Sequence, residues 1–263
     1  MHGRFLLSGS AIVFAKTLAR QVFLVGFCFI EERCRTMRGI RNSYKTLASD
    51  MPLFSNLHTD DTEKVLDALN GEILNFVKDE IISEYSIKEK LEKSFYLVLT
   101  GMVEFVSYGQ DGRRCIIDYT MPGGVIGYAD VFGSLYVRGG QYIAGKDCTL
   151  LRLDLSGAQD IDQRTAESLK RSLIRIISDK TSRLLQKVDI VSRKTVREKI
   201  MTFLSYEAQI HGDTKFEIPL NRQELADYIC VDRTTLCSEL GEMQKAGLIK
   251  KGKRTFQLLS RGD

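Results

Sequence analysis

The chain has 263 residues, enough for two domains with buried cores, and its 43% hydrophobic and 27% charged content is that of an ordinary globular protein. A net charge of +4 excludes a uniform polycation or polyanion. The charge is uneven, however: Ser192–Asp263 carry 13 Lys and Arg against 10 Asp and Glu, which points to an anionic partner for the C-terminal third.

The first apolar stretch, Phe5 to Ile30, holds Lys16 and Arg20 at its middle, where a membrane span tolerates charge poorly. No small-residue cleavage site follows it. The reading adopted is that the natural start is Met37 and that 1–36 are upstream sequence, with an amphipathic accessory helix as the alternative; no membrane contact is expected. Residues 1–50 are therefore set apart as an N-terminal extension. The six cysteines, Cys28, Cys34, Cys115, Cys148, Cys230 and Cys237, show no CxxC spacing. They read as reduced cytoplasmic thiols serving mainly as small buried hydrophobes, and no metal site or cofactor is expected.

From Met51 the elements follow in order. "PLFSNLHTDDTEKVLDALNG" predicts a helix capped by Asp60 or Thr62, with Val65, Leu66 and Leu69 on one face and Gly71 at its end. From Phe95 to Tyr128 the chain is rich in β-branched and aromatic residues. Asp111-Gly112 marks a hairpin and Pro122-Gly123-Gly124 a second turn. "TLLRLDL" at Thr149–Leu155 closes a sandwich or barrel spanning 51–157. A barrel enzyme is the rival from another class, but His2, His58 and His211 all lie off these strands, so no catalytic or metal-ligating cluster is expected. Between Asp162 and Val191 there is no glycine or proline. Ile174, Ile177, Thr181, Leu184, Val188 and Val191 repeat at spacings of three and four, predicting a helix over 158–191 that pairs with a second copy.

The last unit, 192–263, is the most informative. Asn221 with Glu224 forms a capping-box pattern before Leu225, Ala226 and Ile229. Cys230-Val231-Asp232 is a turn. A second helix starts at Arg233, with Leu236, Leu240 and Met243 inside and Arg233, Thr234, Cys237 and Ser238 outside, and Gly247 ends it. "LIKKGKRTFQLL" then predicts a hairpin tipped by Lys251-Gly252-Lys253. Two helices, an exposed recognition surface and a basic hairpin make a winged helix-turn-helix.

Over Met51 to Leu259 the chain resembles the bacterial regulators that include the cyclic AMP receptor protein and the fumarate–nitrate reduction regulator. "RQELADYICVDRTTL" carries the strongest part of that likeness. The resemblance implies an α+β protein: an N-terminal β-roll of the cyclic-nucleotide-binding type, a long dimerisation helix and a C-terminal winged helix-turn-helix. It implies a homodimeric, cytoplasmic transcription factor and no enzyme, with double-stranded DNA as partner, RNA polymerase as a further one if it activates, and a small-molecule effector in the roll. Arg233 would read a guanine, with Thr234 and Ser238 beside it in place of the glutamate and second arginine of the cyclic AMP receptor protein. Arg222 and Gln223, with the amides opening their helix, would meet phosphate, as would Lys250, Lys251 and Lys253.

In the nucleotide cassette Gly127 and Arg138 keep two landmarks, whereas Tyr128 replaces the ribose-binding glutamate and Gly139 the serine. An ungapped count puts Leu184-Leu185 where the long helix offers its purine contacts, with Thr181 a turn earlier. Cyclic AMP is accordingly not the expected effector. A thiol-redox sensor using Cys115, Cys148, Cys230 or Cys237 is the alternative signal within the same class.

Overall fold

A computed structural model describes residues 44, 47–84, 94–129 and 140–259. The N-terminal extension to residue 43, Arg138 and Gly139 lie outside the described residues. Helix α1 spans Thr59–Ala68 and is shorter than its sequence pattern predicts: 52–57 form turns, and the cap position falls on His58, whose side chain makes no cap bond. Asp60 and Thr62 lie within the first turn instead, Thr62 bonding back to the His58 carbonyl. Val65, Leu66 and Leu69 are buried as expected.

The roll consists of β1 (Glu72–Phe76), β2 (Ile81–Glu84), β3 (Ser94–Tyr108), β4 (Arg114–Thr120), β5 (Val125–Ile126) and β6 (Gln141–Asp154). The strand order is β1-β6-β3-β4, with β2 on β6 and β5 on β3, all antiparallel. β3 and β6 carry the architecture. They pair along nearly their whole length but shift register between Val98 and Val103, which lets one continuous strand serve both halves of the roll. Gly101 sits at that irregularity with φ +81, and a Cβ there would fall 2.2 Å from the Asp147 carbonyl oxygen, so only glycine lets the strands cross this closely. The Asp111-Gly112 hairpin forms with Gly112 at φ +76, but its loop runs from Gly109 to Arg113, longer than a two-residue turn.

A 3₁₀ turn, Leu155–Asp160, leads into α2, Gln163–Ser192, capped by the Asp162 side chain. α2 has two faces. Leu169, Leu173 and Ile176 pack on the roll, and Lys180, Arg183 and Lys187 continue that row. On the opposite side Ile174, Leu185 and Val188 are 65%, 66% and 61% exposed. Thr181 is exposed between them, and Ile177, Leu184 and Val191 are half-buried at the flanks. No helix among the described residues is long and apolar enough to cross a membrane.

The C-terminal unit comprises α3 (Val196–His211), β7 (Lys215–Glu217), α4 (Arg222–Ile229), α5 (Arg233–Lys245), β8 (Ile249–Lys251) and β9 (Thr255–Leu258). β7, which the sequence reading missed, completes a three-stranded sheet in the order β7-β9-β8. Phe203, Leu225, Ala226, Leu236, Leu240 and Phe256 form its core. That core continues without a break into Ile116 and Tyr119 of β4, so the unit is docked on the roll.

Candidate nucleic-acid interface and effector site

The recognition surface is built by local chemistry. Asn221 Oδ1 accepts from the amides of Gln223 and Glu224 at 2.8 and 3.0 Å, and the Glu224 carboxylate in turn accepts from the Asn221 amide at 2.7 Å. This capping box starts α4 where the sequence predicts. Cys230 ends it in the left-handed region, φ 55, a conformation glycine adopts more easily. Asp232 takes the cap position of α5 but makes no side-chain cap bond. Its carboxylate lies 3.9 Å from Arg113 of the roll instead.

Arg233, Thr234, Cys237 and Ser238 are all exposed, while Leu236, Leu240 and Met243 are buried on the other side of α5. Gly252 and Lys253 form the hairpin tip; Lys250 and Lys253 are exposed and Lys251 is half-buried.

Two expectations about phosphate contact change. Both α4 amides named above already donate to Asn221, and the Gln223 side chain donates to Asp227 at 2.7 Å. The Arg222 guanidinium donates to the Gly252 carbonyl at 2.6 Å and stacks on Phe256 at 4.5 Å. Burial lowers its pKa. Arg222 therefore ties the wing tip to α4 rather than reaching freely outward.

On the effector side Gly127 is buried at φ +77 and Tyr128 is half-buried on the roll wall. Beyond the Leu169, Leu173 and Ile176 packing, the long helix meets this wall through Lys180, not through Leu184 or Leu185. Lys180 pairs with Asp118 at 3.0 Å, donates to Thr120 Oγ1 at 2.9 Å and lies 5.5 Å from the centre of the Tyr128 ring. Burial, then the nearby Asp118 carboxylate, raises the Tyr128 pKa. Leu185 lies eleven positions after Ile174, about three helical turns, and so falls on the exposed stripe. Leu184 flanks that stripe, and Thr181 is turned outward with its hydroxyl on the Ile177 carbonyl. Leu184 and Leu185 thus lie away from this chain's own roll wall, on and beside the stripe open to a second copy of α2, while Lys180, one position before Thr181, reaches the wall at Tyr128.

Strand β4 links the two sites. Arg114 pairs with Glu104 inside the roll and with Asp227 of α4, the latter at 3.1 Å. Cys115 Sγ lies 3.3 Å from Cys230 Sγ. The Tyr119 ring meets Tyr228 edge-on at 5.4 Å, and Lys187, buried, donates to the Ile116 carbonyl with its ammonium 4.0 Å from the Tyr228 ring centre. Of the four described cysteines only Cys148 is the buried hydrophobe that the sequence reading expected. No spacing signal foretells the Cys115–Cys230 contact.

Comparison with known proteins gives two family matches: a cyclic nucleotide-binding domain over residues 75–164 and a Crp-like helix-turn-helix domain over residues 198–262. The transcriptional activator protein FnrL of Cereibacter sphaeroides is 25% identical over 167 residues, 60% of this chain and 65% of FnrL, just under two thirds of that relative's length. The nitrogen fixation regulation protein FixK of Rhizobium meliloti is 25% identical over 171 residues, 64% of this chain and 75% of FixK. The structure of FixK2 from Bradyrhizobium japonicum superposes with a TM-score of 0.55 at 23% identity, covering 73% of this chain and 93% of that one, a likeness of fold.

Proposed function

The chain belongs to the Crp/Fnr family of transcription regulators, and from that premise we propose that it is a homodimeric, cytoplasmic, sequence-specific DNA-binding regulator whose roll answers to a signal other than cyclic AMP. The observation that carries the reading is the capped α4–α5 pair with Arg233, Thr234 and Ser238 exposed on the helix that follows the turn, beside a hairpin tipped with lysine. Arg233 has the fork geometry to meet O6 and N7 of a guanine in the major groove. Lys250, Lys251 and Lys253 supply the phosphate contacts, and Gln223 sits at the edge of that surface.

Two further features support the rest. The exposed apolar stripe of Ile174, Leu185 and Val188 is suited to a second copy of α2, and a dimer would read two half-sites. At the roll wall, Tyr128 stands where a ribose-binding carboxylate is expected, and the long helix offers Lys180, already paired with Asp118, rather than a purine contact.

The test is selection from a random duplex library with the purified chain. Enrichment of a two-fold symmetric site is the expected outcome. A chain that enriches no sequence would overturn the reading.

A further inference from the structure

Cys115 and Cys230 are 115 residues apart in sequence, one on β4 and the other at the turn between α4 and α5, yet their sulfurs are 3.3 Å apart. Cys230 is exposed and Cys115 half-buried. A cleft of about 920 Å³ opens onto both, lined by Tyr108 and Arg113 of the roll hairpin and by Arg233 and Thr234 of α5. We propose that this pair is a reversible disulfide site, oxidised by hydroperoxides, that fastens the DNA-reading unit to the roll.

The geometry needs little change. A disulfide bond is about 2.05 Å long, so the sulfurs must close by roughly 1.3 Å, within reach of side-chain rotation. The two thiols have different parts. The hydrogen bond from Cys115 holds Cys230 down to about 6 against its burial, and the Lys187 ammonium, 4.0 Å from the Cys230 sulfur, adds to the lowering. The same hydrogen bond raises the Cys115 thiol well above its usual range. Cys230, exposed and beside the Lys187 ammonium, is therefore the more readily ionised thiol and Cys115 the resolving one.

The chemistry balances in two steps. The Cys230 thiolate attacks one peroxide oxygen, and the O–O bond breaks. The alkoxide leaves and takes a proton to become an alcohol, and Cys230 is left as a sulfenic acid. The sulfur gives up two electrons and the peroxide accepts them. Cys115 sulfur then attacks Cys230 Sγ, the S–O bond breaks, and hydroxide departs with the Cys115 proton as water. Two thiols and one hydroperoxide become one disulfide, one alcohol and one water. A small dithiol reverses the result by exchange.

The cross-link lands on the turn that positions Arg233. In the docked arrangement Tyr108 and Arg113 share the cleft with Arg233 and Thr234. A helix reading bases must enter a groove about 12 Å wide, whose phosphate walls would need the space held by that hairpin. Reduced, the unit is held by non-covalent contacts alone; oxidised, it cannot leave. The loss of DNA affinity rests on the DNA-binding reading above, whereas the cross-link does not.

The experiment treats the reduced full-length chain with one equivalent of tert-butyl hydroperoxide, alkylates the remaining thiols and maps the peptides. The expected result is an intramolecular Cys115–Cys230 peptide, reversed by dithiothreitol. Affinity for a duplex selected with the reduced chain should fall at least tenfold. Cys115→Ser should stop at a Cys230 sulfenic acid trapped by dimedone and keep its affinity when the dimedone is omitted. Cys230→Gly, tolerated at φ 55, should lose the fast-reacting thiol. The proposal is overturned if oxidation leaves Cys115 and Cys230 free, if they join only between chains, or if a fully cross-linked chain binds DNA unchanged. A reduced chain that selects no duplex would sink the DNA-binding reading, while the peptide map would still decide the disulfide site.

Discussion

Arg114→Ala should be the most damaging single change at the contact between roll and helix-turn-helix. Arg114 is about a quarter exposed, but its partners are not: the Glu104 side chain is 1% exposed and that of Asp227 10%. Glu104 Oε1 is buried with no hydrogen-bond partner among the described residues, so the carboxylate depends on Arg114. Removing one member of a buried ion pair costs about 3–5 kcal/mol, and the partial exposure of Arg114 argues for about 3. For a chain of this size that is a drop in melting temperature of roughly 6–12 °C.

The deficit should also depend on pH. Burial raises the Glu104 pKa and Arg114 opposes that rise. Without Arg114 the pKa rises further, so the folded chain binds the proton more tightly than the unfolded chain does. Stability then falls as pH increases from the unfolded carboxyl value, about 4.3, through the folded one. Calorimetry should therefore find a larger deficit at about pH 8 than at about pH 5. A double variant, Glu104→Met with Arg114→Met, should recover at least half of the loss, because Asp227 keeps its bond from Gln223. A single-variant loss under about 1 kcal/mol, or a deficit that ignores pH, would show that Glu104 does not depend on Arg114.

Arg233→Ala should weaken binding to the selected duplex by about 1–3 kcal/mol and relax preference at one base pair per half-site, read by repeating the selection with the variant. Replacing Lys250, Lys251 and Lys253 with glutamine should weaken all sequences alike and flatten the salt slope by about one unit for each phosphate no longer neutralised; an unchanged slope would place the hairpin off the backbone. Ile174→Lys with Val188→Lys should give monomers in sedimentation, because like charges would meet along the stripe. Isothermal titration with cyclic AMP should show no micromolar binding, since losing a charge-assisted bond to the ribose hydroxyl costs about 1.5–3 kcal/mol; tight binding that raised DNA affinity would contradict it.

The helix-turn-helix was legible because its signals are local. Asn221 and Glu224 lie three residues apart, and the apolar positions of α4 and α5 follow one helical period. β3 and β6 looked like several short strands because their bulges break the alternation that marks a single long one. β7 was missed because three residues with one buried side chain, Phe216, carry almost no pattern. The heptad reading found the exposed stripe of α2 but not Leu185, which an eleven-residue step brings back onto the same side. Lys180, Lys187 and Arg222 reveal themselves only through partners 30 or more residues away. Such contacts depend on how elements pack, and no spacing rule along one chain encodes them.

The clamp from Arg222 to the wing has a consequence for how regulation can operate. With its guanidinium on the Gly252 carbonyl and its plane on Phe256, α4 and the hairpin tip are riveted into one body. A signal arriving from the roll therefore finds a reader whose shape is already cast. It has no need to order a loop or fold a strand, so little ordering entropy stands between release and DNA contact. What remains adjustable is where that body sits and which way it faces. On the proposed function, control by position would be abrupt, the reader being either clear of the roll or against it. It also leaves the choice of DNA sequence untouched while changing only how often that choice is offered.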